Sequence, residues 1–317
     1  MILLPPVGPL DISRRRYDKL EYLEIDSMKK QAVLLLILTL LPVVLWAKAS
    51  YVATVHPIAV ILQEIVGDKG TVIRLIPPGA SPHTYEPKPS DMKLTSSAQA
   101  FFYVSPALDG WAAKLPAKKS IQMIQLLPAA YQMKFVEHDD ADGHTHAGDV
   151  IDPHFWTNPQ AVKAILPGLV KELSKVDPSN AAVFKKNADA FAIQLDSLDL
   201  EIQKTIAPVK GRAVFLFHPS FMYFIQRYGL VFGGVIEPFP GKEPTPRYIM
   251  DLIKQLRQYK TNAIFIEPQL NRRPADIIAE SAKLKVYTMD PNGGVPGRMS
   301  YAELIRYNAG VLATALK

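Results

Sequence analysis

Three histidines and one aspartate have the residue types for metal chemistry. His83 lies in "PPGASPHTYEPKPSD", His154 in "VIDPHFWTNPQ", His218 closes "AVFLFH" and Asp290 closes "KVYTMD". Three imidazole nitrogens and a carboxylate make a four-coordinate set suited to zinc, with bonds of about 2.0–2.2 Å. The four are far apart in the chain, so no local motif of the H-E-x-x-H kind unites them. Taken singly, each histidine also reads as a buried, hydrogen-bonded core residue. His154, between Pro153 and two aromatics, shows the ambiguity most clearly.

Whether they meet depends on the elements that carry them. Residues 51–56, 71–77 and 100–105 are short apolar runs that predict strands, with helical patterns following the first two. Residues 211–218, 262–268 and 285–291 repeat the strand signal, again alternating with helices, and 300–316 closes the chain as a helix. Such alternation predicts α/β architecture with parallel sheets and crossover helices. Ligands in open α/β sheets bind beyond the carboxyl ends of the strands, where His83, His218 and Asp290 fall in this reading.

Residues 177–206 differ. Asp177 and Pro178 suit a helix start, and Phe184, Ala188, Phe191, Leu195, Leu198, Ile202 and Ile206 share one helical face. A helix of that length suits a rigid strut between two lobes.

The N-terminal region reads as a leader. Lys29 and Lys30 precede an apolar run from Ala32 to Ala47, and Ala47-Lys48-Ala49 has the small-x-small form of a cleavage site. That is the pattern of a secretory signal peptide over 28–49, with the apolar core short of a membrane span of about 20 residues. Residues 1–27 are expected to be an over-extended start. The expected organisation is therefore a leader over 1–49, an N-terminal lobe over 50–176, a linking helix over 177–208 and a C-terminal lobe over 209–317.

The 317-residue chain carries 36 Lys and Arg against 30 Asp and Glu. Without the leader the net charge falls to about +4, and no basic run or basic-aromatic interleaving accompanies it, so nucleic acid is not indicated. The absence of cysteine excludes disulfides, thiolate metal sites and a lipid-anchoring cysteine.

Residues 50–317 resemble the periplasmic metal-binding proteins of zinc and manganese ABC importers, the cluster 9 solute-binding family. The pieces that carry the likeness are "PPGASPHTYEPKPSD", "DPHFWTNP", "FHPSFMYFIQRYGL", "FIEPQL" and "YTMDPNGG", in that order. The resemblance implies two α/β lobes joined by one long helix, with metal held in the cleft between them by His83, His154, His218 and Asp290. Manganese members typically have Glu at the third position and zinc members His, so His218 points to zinc, as does the preference of imidazole for that metal. The chain departs from the family after Trp156, where Thr157-Asn158 replaces an apolar residue and Asp. It also cannot form the disulfide found in some zinc members.

A further group, His138, His144 and His146 with Asp139, Asp140, Asp142 and Asp149, resembles a shortened form of the His- and Asp-rich loop of the zinc members. It reads either as a low-affinity zinc collector or as a solvated polar loop. Glu267 is expected near the metal as a supporting residue or alternative ligand, and His56 as a buried, hydrogen-bonded residue. Phe155 and Trp156 are expected to wall the site.

The implied function is an exported, monomeric, periplasmic protein that is not an enzyme and delivers Zn(II) to an ABC permease. Manganese or iron(II) uptake is the nearest alternative. An exported zinc hydrolase, with Glu267 as base, is the rival of a different class.

Overall fold

The computed structural model describes residues 49–135, 150–237, 244–259 and 261–317. The expected leader, apart from Ala49, lies outside these residues, as do His138, His144 and His146 with Asp139, Asp140, Asp142 and Asp149.

Two four-stranded sheets, each wholly parallel, form the frame. The first contains β1 (Ala49–Ala53), β2 (Gly70–Arg74), β3 (Ala100–Tyr103) and β4 (Ser120–Gln122) in the order β2-β1-β3-β4. The second contains β5 (Ala213–Leu216), β6 (Val231–Val235), β7 (Ala263–Ile266) and β8 (Lys285–Thr288) in the matching order β6-β5-β7-β8. Strands covered on both faces read as unbroken apolar runs, and "AVFL" of β5 and "AIFI" of β7 are buried throughout. In each sheet the strand order reverses beside the first strand, which opens a crevice at the carboxyl ends of β1 and β3, and of β5 and β7.

The helices that cover the sheets are α1 (His56–Val66), α2 (Pro89–Ser97), α3 (Pro106–Asp109), α4 (Pro159–Val176), α5 (Ala181–Ile206), α6 (Met222–Tyr228), α7 (Pro246–Gln258), α8 (Arg273–Ala282) and α9 (Tyr301–Ala315). No helix among the described residues is long and apolar enough to cross a membrane.

Helix α5 is the long connector. It begins later than the expected Asp177, because Pro178–Asn180 form a 3-10 turn. The Asp177 carboxylate accepts from Ser179 Oγ at 2.6 Å and Asn180 Nδ2 at 2.8 Å, which holds the turn between α4 and α5. Its 26 residues span about 39 Å at 1.5 Å per residue. The stripe from Phe184 to Ile206 is buried as its spacing predicts. The helix packs on α1 and α4 of the first half and on α6 and α9 of the second. One hydrophobic core therefore runs through both halves, from Ala49 to Leu316. A smaller core, including Phe215, Phe217, Leu252, Ile264 and Ile278, lies on the other face of the second sheet.

The first strand ends earlier than its sequence suggests. Val55 caps α1 and Pro57 sits in its first turn, where a fixed φ favours a helix, so His56 opens a helix rather than closing a strand. His56 is buried and its Nε2 lies 2.8 Å from the Met299 carbonyl, a bond between the two halves.

Candidate metal centre

Three loops bring three histidines to one place. His83 lies on the loop between β2 and α2. Trp111 Nε1 donates to the Pro82 carbonyl at 2.9 Å, and Tyr85 Oη donates to Asp91 Oδ2 at 2.9 Å, so both flanks of His83 are tied down. His154 immediately precedes the 3-10 turn Phe155–Thr157, after which Asn158 caps α4 by accepting from Gln160 N at 2.9 Å. The departing Thr157-Asn158 pair is thus a local capping solution, and Thr157 Oγ1 donates to the His154 carbonyl at 3.0 Å. His218 stands two residues beyond β5.

The ring centroids are 5.6 Å apart for His83 and His154, 5.0 Å for His83 and His218, and 5.3 Å for His154 and His218. One nitrogen from each ring lies within 4.8 Å of the others. Tetrahedral bonds of about 2.0–2.1 Å would place such nitrogens about 3.4 Å apart, a modest inward movement.

Electrostatics favour lone pairs over protons here. Burial, together with neighbouring His154, lowers the His83 pKa to about 3. Burial, then the nearby His83 and His154, holds His218 well below the ordinary imidazole range. Both are therefore neutral at pH 7. Among the described residues no well-formed hydrogen bond reaches the buried Nε2 of His83 or either buried ring nitrogen of His218, a costly arrangement unless a ligand uses them. Ser81 Oγ and Asn292 Oδ1 are likewise unpartnered and line the same pocket.

His154 is oriented differently. Its Nδ1 lies 2.8 Å from Asp152 Oδ1, which also accepts the His154 backbone N–H at 2.9 Å. A carboxylate oxygen here can only accept, so Nδ1 carries a proton and Nε2 is the nitrogen left for a ligand. Trp156 packs edge-on against the ring at 5.4 Å, and Phe155 lies fully buried beside Trp156. Trp156 also spans the halves, donating Nε1–H to the Pro291 carbonyl at 2.8 Å and accepting Tyr301 Oη–H on its own carbonyl at 2.7 Å.

The two expected carboxylates stand outside the trio. Asp290, two residues beyond β8, is buried, but Oδ1 accepts the backbone N–H of Asn292 and of Gly293, each at 2.9 Å, and Oδ2 is 3.0 Å from Arg298 Nη1. Glu267, one residue beyond β7, lines the pocket with the histidines. Its Oε1 accepts from Ser220 Oγ at 2.7 Å and its Oε2 from Gln269. Burial pushes its pKa up to about 8, against the hydrogen bond from Ser220 and aided by the Asp290 charge. Sequence reasoning missed Asp152, Ser220 and Arg298. The signal for Asp152 was present, as an aspartate two residues before His154.

Residues 52–315 match the family described as ZnuA, zinc-uptake complex component A, periplasmic. The chain belongs to this family. ZnuA-family membership makes it a metal-binding substrate-binding protein of the ABC-transporter type and removes the zinc-hydrolase reading. A putative metal-binding protein of Thermotoga maritima is 31% identical over 296 residues, covering 92% of this chain and all of the relative. The manganese ABC transporter substrate-binding lipoprotein PsaA of Streptococcus mitis is 28% identical over 282 residues, 85% of this chain and 89% of that one. Among solved structures, a ZnuA crystal structure superposes with a TM-score of 0.73 at 26% identity, covering 85% of this chain and all of the other.

Proposed function

We propose that the protein captures Zn(II) and hands it to the membrane permease of an ABC importer. The carrying observation is the trio His83, His154 and His218, with one nitrogen from each ring within 4.8 Å of the others, and the buried nitrogens of His83 and His218 that have no well-formed hydrogen bond among the described residues. These three would replace water on the ion, with Asp290 supplying a fourth, oxygen ligand. His83 and His154 belong to residues 50–176 and His218 and Asp290 to residues 209–317, so the ion would join two lobes linked through 177–208. Residues 28–49 would direct export to the periplasm, where the protein acts as a monomer.

Manganese is the second reading. It is favoured by the name of the Streptococcus mitis relative and by Glu267, an oxygen donor lining the pocket. Histidine in the third ligand position supports zinc over it, since manganese prefers oxygen-rich sites. Metal analysis of protein recovered from the exported compartment, with a zinc–manganese competition titration, tests the choice. Zinc as the recovered metal is the expected result; manganese recovered at one equivalent would overturn it.

A further inference from the structure

The segment from Asp290 to Met299 closes on itself and on the first half of the molecule. Gly294 N donates to the Arg298 carbonyl at 2.9 Å. Gly293, at φ +67°, lies so near that carbonyl that a Cβ would sit 2.8 Å from it, so the turn needs glycine. Three contacts tie this segment across: Trp156 to the Pro291 carbonyl, His56 to the Met299 carbonyl, and Arg74 packed against Gly294.

Within it, the Asp290 backbone and its carboxylate are held by different partners. Asn308 accepts the Asp290 N–H at 2.8 Å and donates to its carbonyl at 2.7 Å. The carboxylate, by contrast, is held by two turn N–H groups and by Arg298, filling three of its roughly four acceptor positions. Arg298 is itself anchored, its guanidinium 4.4 Å from the centre of the Tyr307 ring, whose Oη donates to the Thr288 carbonyl at 3.1 Å. A cation seated on the Tyr307 ring thus faces the carboxylate oxygen that the turn does not engage.

We propose that Arg298 competes with the transported ion for the Asp290 carboxylate, so that the Asp290–Arg298 pair limits affinity and speeds release. This rests on the zinc-capture reading with Asp290 as fourth ligand. A guanidinium and a divalent cation repel, and the carboxylate oxygen committed to Arg298 is the one not engaged by the turn. Handing the carboxylate back to Arg298 gives the leaving ion a lower barrier than an unpaired buried carboxylate would. The exchange also sits on the segment that joins the two halves.

The test is zinc titration against a competing chelator, with stopped-flow release, on the wild type, R298M, R298K, D290N and the R298M/D290N double variant. Methionine keeps the stem over Tyr307 and removes the charge. R298M is expected to bind zinc about tenfold tighter, equivalent to 1.4 kcal/mol, and to release it more slowly. R298K should stay near wild type, and the gain should vanish in the D290N background. Equal or weaker binding by R298M, or a gain that persists without Asp290, overturns the proposal. If R298M fails to fold, a crystal structure of the zinc-loaded wild type decides: Arg298 Nη1 still paired with an Asp290 that stays off the metal overturns it, and separation of the pair supports it. Failure of the wild type to bind zinc would instead sink the zinc-capture reading.

Discussion

Asp152 accepts both the backbone N–H and the imidazole Nδ1–H of His154, at 2.9 and 2.8 Å. One carboxylate oxygen thereby sets the position of the residue, its ring orientation and its tautomer. Removing such a partner typically weakens a metal site by about 10–100-fold. D152A should show that loss in a zinc–chelator titration, while D152N, which keeps an acceptor oxygen, should lose less. Wild-type affinity in D152A would mean that packing against Trp156 alone holds the ring.

His218 is the residue through which metal preference should be adjustable. Among the described residues neither of its buried nitrogens has a well-formed hydrogen bond, so its substitution removes a donor left for the ion. H218A should lower zinc affinity by at least about 100-fold, the order of a lost ligand. H218E supplies oxygen in the same place and should shift the zinc-to-manganese affinity ratio toward manganese by about tenfold or more. A ratio unchanged in H218E would place selectivity elsewhere.

The depressed histidines also predict how stability responds to acid. His83 is lowered to about 3 and His218 is held well below the ordinary imidazole range, both chiefly by burial. Unfolded imidazoles take up protons near pH 6.5, so below that pH the unfolded chain binds more protons than the folded one. Stability should therefore fall as pH drops from about 6.5 toward 3. Thermal melts of chelator-treated protein between pH 7.5 and 5 should show this, with a shallower slope for H83Q. Parallel slopes would count against the burial of that ring. Proton competition for these two nitrogens should likewise begin below the usual imidazole range.

Asp199 anchors the second half to the connecting helix. It is buried on α5, accepts from both Arg227 Nε at 2.9 Å and Arg227 Nη2, and also from Tyr228 Oη at 3.1 Å and Gln203 Nε2 at 2.8 Å. D199A strands these donors, although Arg227 retains some contact with water, so a loss of about 2 kcal/mol is expected. In a domain of this size that corresponds to a melting temperature lower by roughly 4–8 °C. Calorimetry checks the shift; a change below about 1 °C would show that water replaces the network.

The parallel frame was legible because buried strands such as "AVFLFH" and "NAIFIEP" carry unbroken apolar runs, and the stripe from Phe184 to Ile206 marks α5. The strand-end histidines followed from it, since a parallel sheet delivers its carboxyl ends to one edge. Of the edge strands, β2 and β8 were legible and the short β4 and β6 were not. β6 contains Gly233 and Gly234, which read as breakers, yet Gly233 is required because a Cβ would meet the Phe215 ring at 2.4 Å. Helix α4 runs through Pro167, another breaker, because its buried face from Ala161 to Leu173 outweighs one missing backbone hydrogen bond. The pairing of Asp290 with Arg298 depends on side-chain rotation and turn geometry, which residue spacing does not encode.

The two cores of the second sheet also differ in how they should open. Helices α7 and α8 cover the smaller core, whereas the inner faces of β5 and β7, including Leu216 and Phe265, belong to the core shared with α5. Amide hydrogens of α7 and α8 should therefore exchange with solvent through local openings, ahead of those on α5. The outer layer can breathe while His218 and Glu267, suspended from β5 and β7, keep their places.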